Sequence, residues 1–133
     1  FVTADGEPRV VSCSSDKTLR VWNPLAGGDA LLVLEGHSNW VYGVTTFVTA
    51  DGEPRVVSCS DDMTLRLWDP LAGGDALCML EGHTSKVAGV AAFVTADGEP
   101  RVVSCSDDET LRVWDPLAGG DALHVLEGHS DWV

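Results

Sequence analysis

The sequence predicts an all-β fold made of repeated four-stranded antiparallel units, and three observations lead to this prediction. The stretch FVTADGEPRVVSCS begins at Phe1, at Phe47 and at Phe93, which sets a period of 46 residues. Each repeat alternates short β-branched and aromatic runs with turn-forming residues. No window shows the sustained 3.6-residue period of an amphipathic helix, so we expect almost no helix.

The second copy of the repeat shows how the four strands are assigned. WVYGVTTFV, ending at Val48, predicts the first strand. The Asp-Gly pair in ADGEP is a hairpin-turn signal, and Pro54 is expected to stop the pairing. RVVSCS and TLRLWD predict the second and third strands, on either side of a tight polar turn at 61–63. The Pro- and Gly-rich loop DPLAGGDA then leads to a fourth strand, ALCML.

Composition excludes several classes of function. The formal net charge is −13, with 21 acidic and 8 basic residues. A phosphate backbone is bound by clustered Lys and Arg, so we expect no nucleic-acid partner. No apolar run approaches the ~18 residues of a membrane span. No basic-then-apolar signal segment is present in the sequence, and we expect no membrane partner.

The cysteines point to a reducing, cytoplasmic environment. Three of the four lie in the same VVSCS context, inside an apolar strand pattern. Disulfides would pair cysteines at differing local positions, and a metal site would bring CxxC or closely spaced His. Neither pattern occurs, so we expect buried free thiols and no metal or cofactor.

A second set of spaced residues identifies a family. Gly36-His37 precedes Trp68-Asp69, and the same pairs recur one period later, each with Ser-x-x-x-Thr between them. This pattern resembles the WD-repeat β-propellers along the whole chain. The first copy departs from it by ending in Trp22-Asn23. The resemblance implies a β-propeller of four-stranded blades, with about three blades formed by units 1–46, 47–92 and 93–133 of one propeller.

The repeated serine, histidine and aspartate have two interpretations. Together they are the ingredients of a nucleophilic hydrolase. The resemblance implies instead a buried hydrogen-bonded tetrad in each blade, formed by His37, Ser58, Asp62 and Trp68 and then by His83, Ser104, Asp108 and Trp114. A nucleophile must be exposed beside a cleft, whereas these serines fall mid-strand in every unit. We therefore expect a structural tetrad and no enzyme activity.

The residues of a third tetrad are divided between the two ends of the sequence. His129 has no downstream Ser, Asp and Trp, while Ser12, Asp16 and Trp22 have no upstream Gly-His. We expect His129 to complete a tetrad with these residues of another copy, or with blades outside the sequence. Propellers typically close with about 4–8 blades. Two chains would give a ring of about six blades, and three chains would give about nine. The alternative is that the sequence is a window cut from a longer tandem protein.

Differences between the copies gather on one side of the predicted ring. The stretches TADGEPRVVSCS and PLAGGDAL are identical in all three copies. The turn after the second strand and the loop after the histidine vary, and the resemblance implies that partners dock on this face. Loops on a rigid scaffold commonly carry binding residues. The candidate partner-binding residues are Lys17, Asn39, Trp40, Tyr42, Met63, Ser85, Lys86, Glu109, Asp131 and Trp132.

Two hypotheses of function follow. The first is a non-catalytic scaffold that binds a protein or peptide on the variable-loop face. The second is a structural repeat protein, recently amplified or engineered, that assembles into a homo-oligomeric ring with no dedicated ligand. The near-identity of the copies favours the second hypothesis more than it would in a propeller whose blades have diverged.

Overall fold

A computed structural model describes all residues from Phe1 to Val133 and contains eleven strands and no helix. The all-β prediction is therefore confirmed. With no helix present, none is long and apolar enough to cross a membrane. The strands are β1 (Val10–Cys13), β2 (Leu19–Trp22), β3 (Leu32–Leu34), β4 (Val41–Val48), β5 (Pro54–Ser60), β6 (Leu65–Trp68), β7 (Cys78–Leu80), β8 (Val87–Val94), β9 (Pro100–Ser106), β10 (Leu111–Trp114) and β11 (His124–Leu126).

The strands form three antiparallel sheets that correspond to successive propeller blades. β1, β2 and β3 form a three-stranded first blade. β4 to β7 form the second blade in chain order, and β8 to β11 form the third in the same way. In the first blade the innermost strand is reduced to an isolated bridge between Val2 and Pro8. The three blades form an open array, as the sequence predicts for part of a propeller.

The hairpin between β4 and β5 corrects one detail of the sequence interpretation. Pro54 does not stop the pairing, because it is the first residue of β5 and lies opposite Val48. Proline is tolerated at the first position of a strand, where its missing N–H is not needed by the ladder. The turn itself is closed by the Gly52 amide, which donates to the Thr49 carbonyl at 2.9 Å. Gly52 adopts a φ of +84°, a conformation that glycine adopts without steric cost.

Strand alternation gives each blade two apolar faces, and the two faces of the middle blade pack against different neighbours. Successive side chains of a strand point to opposite sides of the sheet. One cluster fills the space between the first and second blades and contains Leu19, Val21, Leu34, Val41, Val56 and Trp68. A second fills the space between the second and third blades and contains Phe47, Val57, Cys59, Leu65, Leu67, Leu80, Val87, Val102 and Trp114. The middle blade is therefore covered on both faces.

Repeat units counted from Phe1 do not coincide with the blades, whereas the 46 residues that begin at Val41 contain all four strands of the second blade. Phe47 and Phe93 begin new copies of the repeat, yet both lie near the end of a strand, in β4 and β8. A unit counted from Phe1 therefore contains the end of one inner strand and most of the next. Each such unit contributes to two neighbouring blades.

We expect Leu65→Ala to destabilise the chain strongly, because Leu65 is fully buried between the second and third blades. Removing a buried leucine side chain typically costs about 2–5 kcal/mol. Leu77→Ala is the matched control in the same blade, because that leucine is 52% exposed and should change the free energy of unfolding by less than about 1 kcal/mol. Urea denaturation followed by tryptophan fluorescence measures both values. An equal decrease in the free energy of unfolding for the two variants would contradict the packing described.

Candidate functional site

A chain of hydrogen bonds crosses the second blade and starts from an indole. The Trp68 Nε1–H donates to Ser58 Oγ at 2.9 Å. The Ser58 oxygen lies 2.6 Å from His37 Nε2, and His37 Nδ1 lies 2.7 Å from Asp62 Oδ2. Ser58 and Trp68 are fully buried, and His37 is nearly so. The four residues lie on β5, β6 and the loops beside them, so the chain joins the sheet to the loop that precedes it.

The donors and acceptors assign the protons along this chain. Because the indole can only donate, Ser58 Oγ accepts from it and its own hydroxyl hydrogen is free to donate to His37 Nε2. His37 Nδ1 then carries the proton and donates to the Asp62 carboxylate. The imidazole is neutral in this arrangement, and every polar group has a partner.

The third blade repeats the same arrangement with closely similar distances. Trp114 Nε1–H donates to Ser104 Oγ at 2.9 Å, and that hydroxyl lies 2.7 Å from His83 Nε2. His83 Nδ1 donates to Asp108 Oδ2 at 2.6 Å. We call each such set of Trp, Ser, His and Asp a lock.

A side chain in place of the glycine before each lock histidine would crowd the residues of its own blade. A Cβ at Gly36 would lie 2.8 Å from Arg66 Nη1 and 3.2 Å from Trp68 Cη2. A Cβ at Gly82 would meet the equivalent arginine of the third blade at 2.7 Å. The loop therefore lies directly against the arginine and tryptophan of its own blade, which explains the Gly-His pair in the sequence.

Sequence analysis placed the serine and threonine of Ser-x-x-x-Thr in the family pattern but missed that both support the lock. Thr64 Oγ1 donates to Asp62 Oδ1 at 2.6 Å, and Thr110 contacts Asp108 in the same way. The fully buried Ser60 donates to the Trp40 carbonyl at 2.7 Å and accepts from the Asp62 amide at 3.0 Å. The signal was present, since Ser-x-Asp-x-Thr occurs in every copy.

Burial and hydrogen bonding act in opposite directions on the lock carboxylates. Burial raises the pKa of Asp62, but hydrogen bonds from His37 and Thr64 outweigh it and hold the pKa well below the usual 3.8. The pKa of Asp108 is lowered against burial in the same way, by Thr110 and His83. Burial lowers the pKa of His83 below 6.5, although Asp108 opposes this shift. These shifts favour ionised Asp62 and Asp108 and a neutral His83.

The lock serines are inaccessible to a substrate. Ser58 is 0% exposed and Ser104 only 1%, so no substrate carbonyl reaches either hydroxyl. Burial also raises the pKa of the Cys59 thiol to about 12, which keeps it protonated. All four cysteines are free thiols. These groups serve packing and hydrogen bonding in the arrangement seen here.

The first blade contains only part of a lock. Trp22 Nε1–H donates to Ser12 Oγ at 2.8 Å, but no histidine contacts Ser12 or Asp16. Asp16 is exposed and lies 3.8 Å from Arg20. His129, at the other end of the chain, is exposed and makes no hydrogen bond within the molecule. This chain therefore brings Ser12 and Trp22 together but leaves His129 apart from them.

Aromatic side chains form a row on the variable-loop face. The Trp40 and Tyr42 rings meet edge to face, with centroids 6.4 Å apart. Lys86 Nζ lies 4.9 Å from the Tyr42 ring centroid and 5.9 Å from that of Trp132. We call these four residues the aromatic row. Trp40, Lys86 and Trp132 occupy equivalent positions in successive copies, and Tyr42 lies two residues after Trp40, so the loops before β4 and β8 and the loop after β11 bring these side chains together.

The other predicted partner-binding residues lie on the same face. Lys17, Met63 and Glu109 are exposed turn residues that adopt positive φ of 75°, 70° and 71°. Asn39 and Asp131 use their side chains locally, each accepting from the amide of the tryptophan that follows. Ser85 is half-buried, and its carbonyl lies 3.3 Å from Ser106 Oγ. Binding by these residues stays a prediction.

Comparison with protein families decides the classification. The model described as "WD domain, G-beta repeat" matches residues 4–23, 28–69 and 74–115, which is most of the chain. The chain belongs to the WD40 family. The matches span all three blades, and the WD40 family consists generally of non-catalytic protein-interaction scaffolds.

Individual relatives match shorter stretches. WD repeat and SOCS box-containing protein 1 of Homo sapiens is 55% identical over 38 residues, which is 29% of this chain and 9% of that protein. Nuclear distribution protein PAC1 of Yarrowia lipolytica is 63% identical over 35 residues, which is 26% of this chain and 8% of that protein. The matched stretches span less than a tenth of either relative.

We expect Ser58→Ala to destabilise the second blade, because it removes the one hydroxyl that both Trp68 and His37 contact. A buried group left without its hydrogen-bond partner costs about 1–3 kcal/mol. Ser38→Ala is the matched control, since Ser38 is exposed and its backbone amide, not its side chain, contacts Asp62. Urea denaturation compares the two variants. If Ser58→Ala were as stable as the parent chain, the lock would make no measurable contribution to the free energy of unfolding.

The locks should also make stability fall on acidification. Because the folded-state pKa of His83 is lowered, its contribution is present above pH 6.5 and decreases as the pH falls below it. The contributions of Asp62 and Asp108 are lost at lower pH, below 3.8.

This pH dependence can be separated from general charge repulsion with two variants. Asp108→Asn should flatten the decline below about pH 4, while Asp97→Asn, in an exposed turn, should keep it. Urea midpoints between pH 7.5 and 3, at constant ionic strength, give the comparison. If the urea midpoints of the parent chain, Asp108→Asn and Asp97→Asn changed with pH in the same way, the Asp108 carboxylate would not contribute to the pH dependence of stability.

Proposed function

We propose that this WD40 chain is a non-catalytic scaffold that binds a protein or peptide through the aromatic row. Membership of the WD40 family supports a protein-interaction scaffold in general. The choice of surface depends on one observation. Three aromatic side chains are left open to solvent beside a fixed ammonium group, on the face where the copies differ.

Exposure distinguishes the row from the aromatic residues that hold the fold. Trp132 is 74% exposed, Trp40 is 51% exposed and Tyr42 is 38% exposed, whereas Trp68 and Trp114 are fully buried. Trp and Tyr are enriched in interface hot spots, because a partner gains a large contact area from a side chain with few rotamers. The exposed rings are therefore available to a partner at no cost to the core.

Lys86 gives the row a defined shape and a charge. Its ammonium lies over the Tyr42 and Trp132 rings and 3.6 Å from Asp107 Oδ2. A cation held over aromatic faces is stabilised by about 0.5–1 kcal/mol at an exposed site. The row therefore offers a partner apolar rings with one positive charge between them, in a chain that is otherwise strongly acidic.

The opposite face has exposed apolar residues but little variation between the copies. Leu25, Leu71 and Leu117 are exposed in the same loop of each copy, and the surrounding PLAGGDAL is identical. The loop around these leucines differs between copies only at its first residue, which is Asn23, Asp69 or Asp115, whereas the turns and loops on the face of the row differ at several exposed positions. The free thiols support a reducing, cytoplasmic location as part of the same proposal.

A peptide library displayed on phage and selected on the immobilised chain tests the proposal. We expect Trp40→Ala and Tyr42→Ala to weaken the selected peptides at least about tenfold in Kd, as for hot-spot residues. Leu71→Ala, on the opposite face with comparable exposure, should leave Kd unchanged. Fluorescence anisotropy with labelled peptide measures the three values, and circular dichroism checks that each variant is folded.

Two results would overturn the proposal. One is a selection that returns no peptide binding above background. The other is a set of peptides whose Kd responds to Leu71→Ala and not to Trp40→Ala or Tyr42→Ala.

A further inference from the structure

Lys86 shows within the chain how a cation is held on the variable-loop face. Its ammonium lies 3.6 Å from Asp107 Oδ2 and 4.9 Å from the centroid of the Tyr42 ring. A carboxylate and an aromatic ring together stabilise a positive charge between them. The amide of Asp107 also donates to the Lys86 carbonyl at 3.2 Å, so the two residues are neighbours through the backbone as well as through their side chains.

The second blade has the same carboxylate but no cation beside it. Asp61 is the equivalent of Asp107 one period earlier, and Trp40 is the equivalent of Lys86. The amide of Asp61 donates to the Trp40 carbonyl at 2.9 Å, so the backbone bond between the two positions is kept. The Asp61 carboxylate makes no ion pair, whereas that of Asp107 does. Tryptophan in place of lysine thus leaves this carboxylate without the ammonium that its equivalent has.

Both groups at this position of the second blade can be reached from solvent. Asp61 is half-buried, and the Trp40 indole is 51% exposed. The indole is held in place by the Tyr42 ring, which it meets edge to face. Among aromatic side chains tryptophan attracts a cation most strongly. An unpaired carboxylate and an exposed indole therefore occupy adjacent positions on the face where the copies differ.

The charge of the whole face favours a basic partner. At the positions where the copies differ, its turns and loops carry more acidic than basic residues, namely Asp61, Asp107, Glu109 and Asp131 against Lys17 and Lys86. One of the two lysines is already paired with Asp107. The chain as a whole has a net charge of −13. A basic peptide is therefore attracted to this face, and an acidic peptide is repelled by it.

We propose that the partner of the aromatic row is a basic peptide, one arginine of which binds between the Asp61 carboxylate and the Trp40 indole. This inference rests on the scaffold function proposed above and specifies the chemistry of the partner. A guanidinium suits this pair better than an ammonium, because its planar group stacks on an aromatic face while its N–H groups donate to a carboxylate. The arginine takes in the second blade the place that Lys86 has in the third.

Parallel phage selections on the parent chain and on Asp61→Asn test this proposal. We expect arginine to be enriched over the unselected library in peptides selected on the parent chain, and this enrichment to disappear on Asp61→Asn. Asp75→Asn is the matched control, because it removes the same charge from an exposed aspartate on the opposite face and should keep the enrichment. Circular dichroism checks that both variants are folded.

Replacing the arginine of one selected peptide by citrulline separates charge from shape, because citrulline is nearly isosteric with arginine but neutral. On the parent chain we expect this replacement to raise Kd about tenfold, the combined effect of a lost cation–π contact and a lost ion pair. On Asp61→Asn it should raise Kd only about threefold, since the contact with the indole alone is lost there. Fluorescence anisotropy with labelled peptides measures the four values.

The outcomes distinguish this proposal from the scaffold function on which it rests. A selection that returns no binding peptide overturns both. Peptides that bind through Trp40 and Tyr42 but show no enrichment of arginine overturn only the present proposal. It is also overturned if citrulline raises Kd equally on the parent chain and on Asp61→Asn, because the carboxylate then has no part in binding the arginine.

Discussion

The hydroxyl of the lock serine is the point on which the fold of each complete blade depends. It accepts from an indole and donates to an imidazole, so one buried atom connects the third strand, the second strand and the loop that leads into the blade. Neither neighbour has another partner at that atom: Trp68 donates only to Ser58, and His37 Nε2 contacts only Ser58. Satisfying all of these groups together requires the strands and the loop to be in place at once.

Much of this architecture could be predicted from the sequence, because repetition supplies information that a single unit does not. Three copies of one pattern fix the strand count and the turns, and the Gly-His and Trp-Asp pairs fix the family. The interpretation of Pro54 was wrong because proline interrupts a strand only where its N–H would be needed for pairing, and Pro54 is the first residue of β5. The support that Thr64 and Ser60 give to the lock was missed because small hydroxyl residues in a turn are usually assigned to the turn itself, although both contact the lock.

The surface was harder to predict than the core. Sequence comparison between copies selected the variable positions, but it could not show that Lys86 lies between Tyr42 and Trp132, or that Asn39 and Asp131 use their side chains on their own backbone. The position of Lys86 depends on how neighbouring inner strands approach one another, and no single repeat encodes that approach. Variable positions therefore divide into those that are free to contact a partner and those already committed to local bonds.

The position of the lock loop has a consequence for how the molecule comes apart. The Gly36-His37 loop connects β3 of the first blade to β4 of the second, and its histidine contacts Ser58 and Asp62 of the second blade. If the second blade loosens, the connection that leads to it from the first blade is released as well. The array should therefore melt as one cooperative unit, in contrast to solenoids in which terminal repeats fray independently. Covalent continuity across every blade boundary thus extends the effect of a local contact to the whole array.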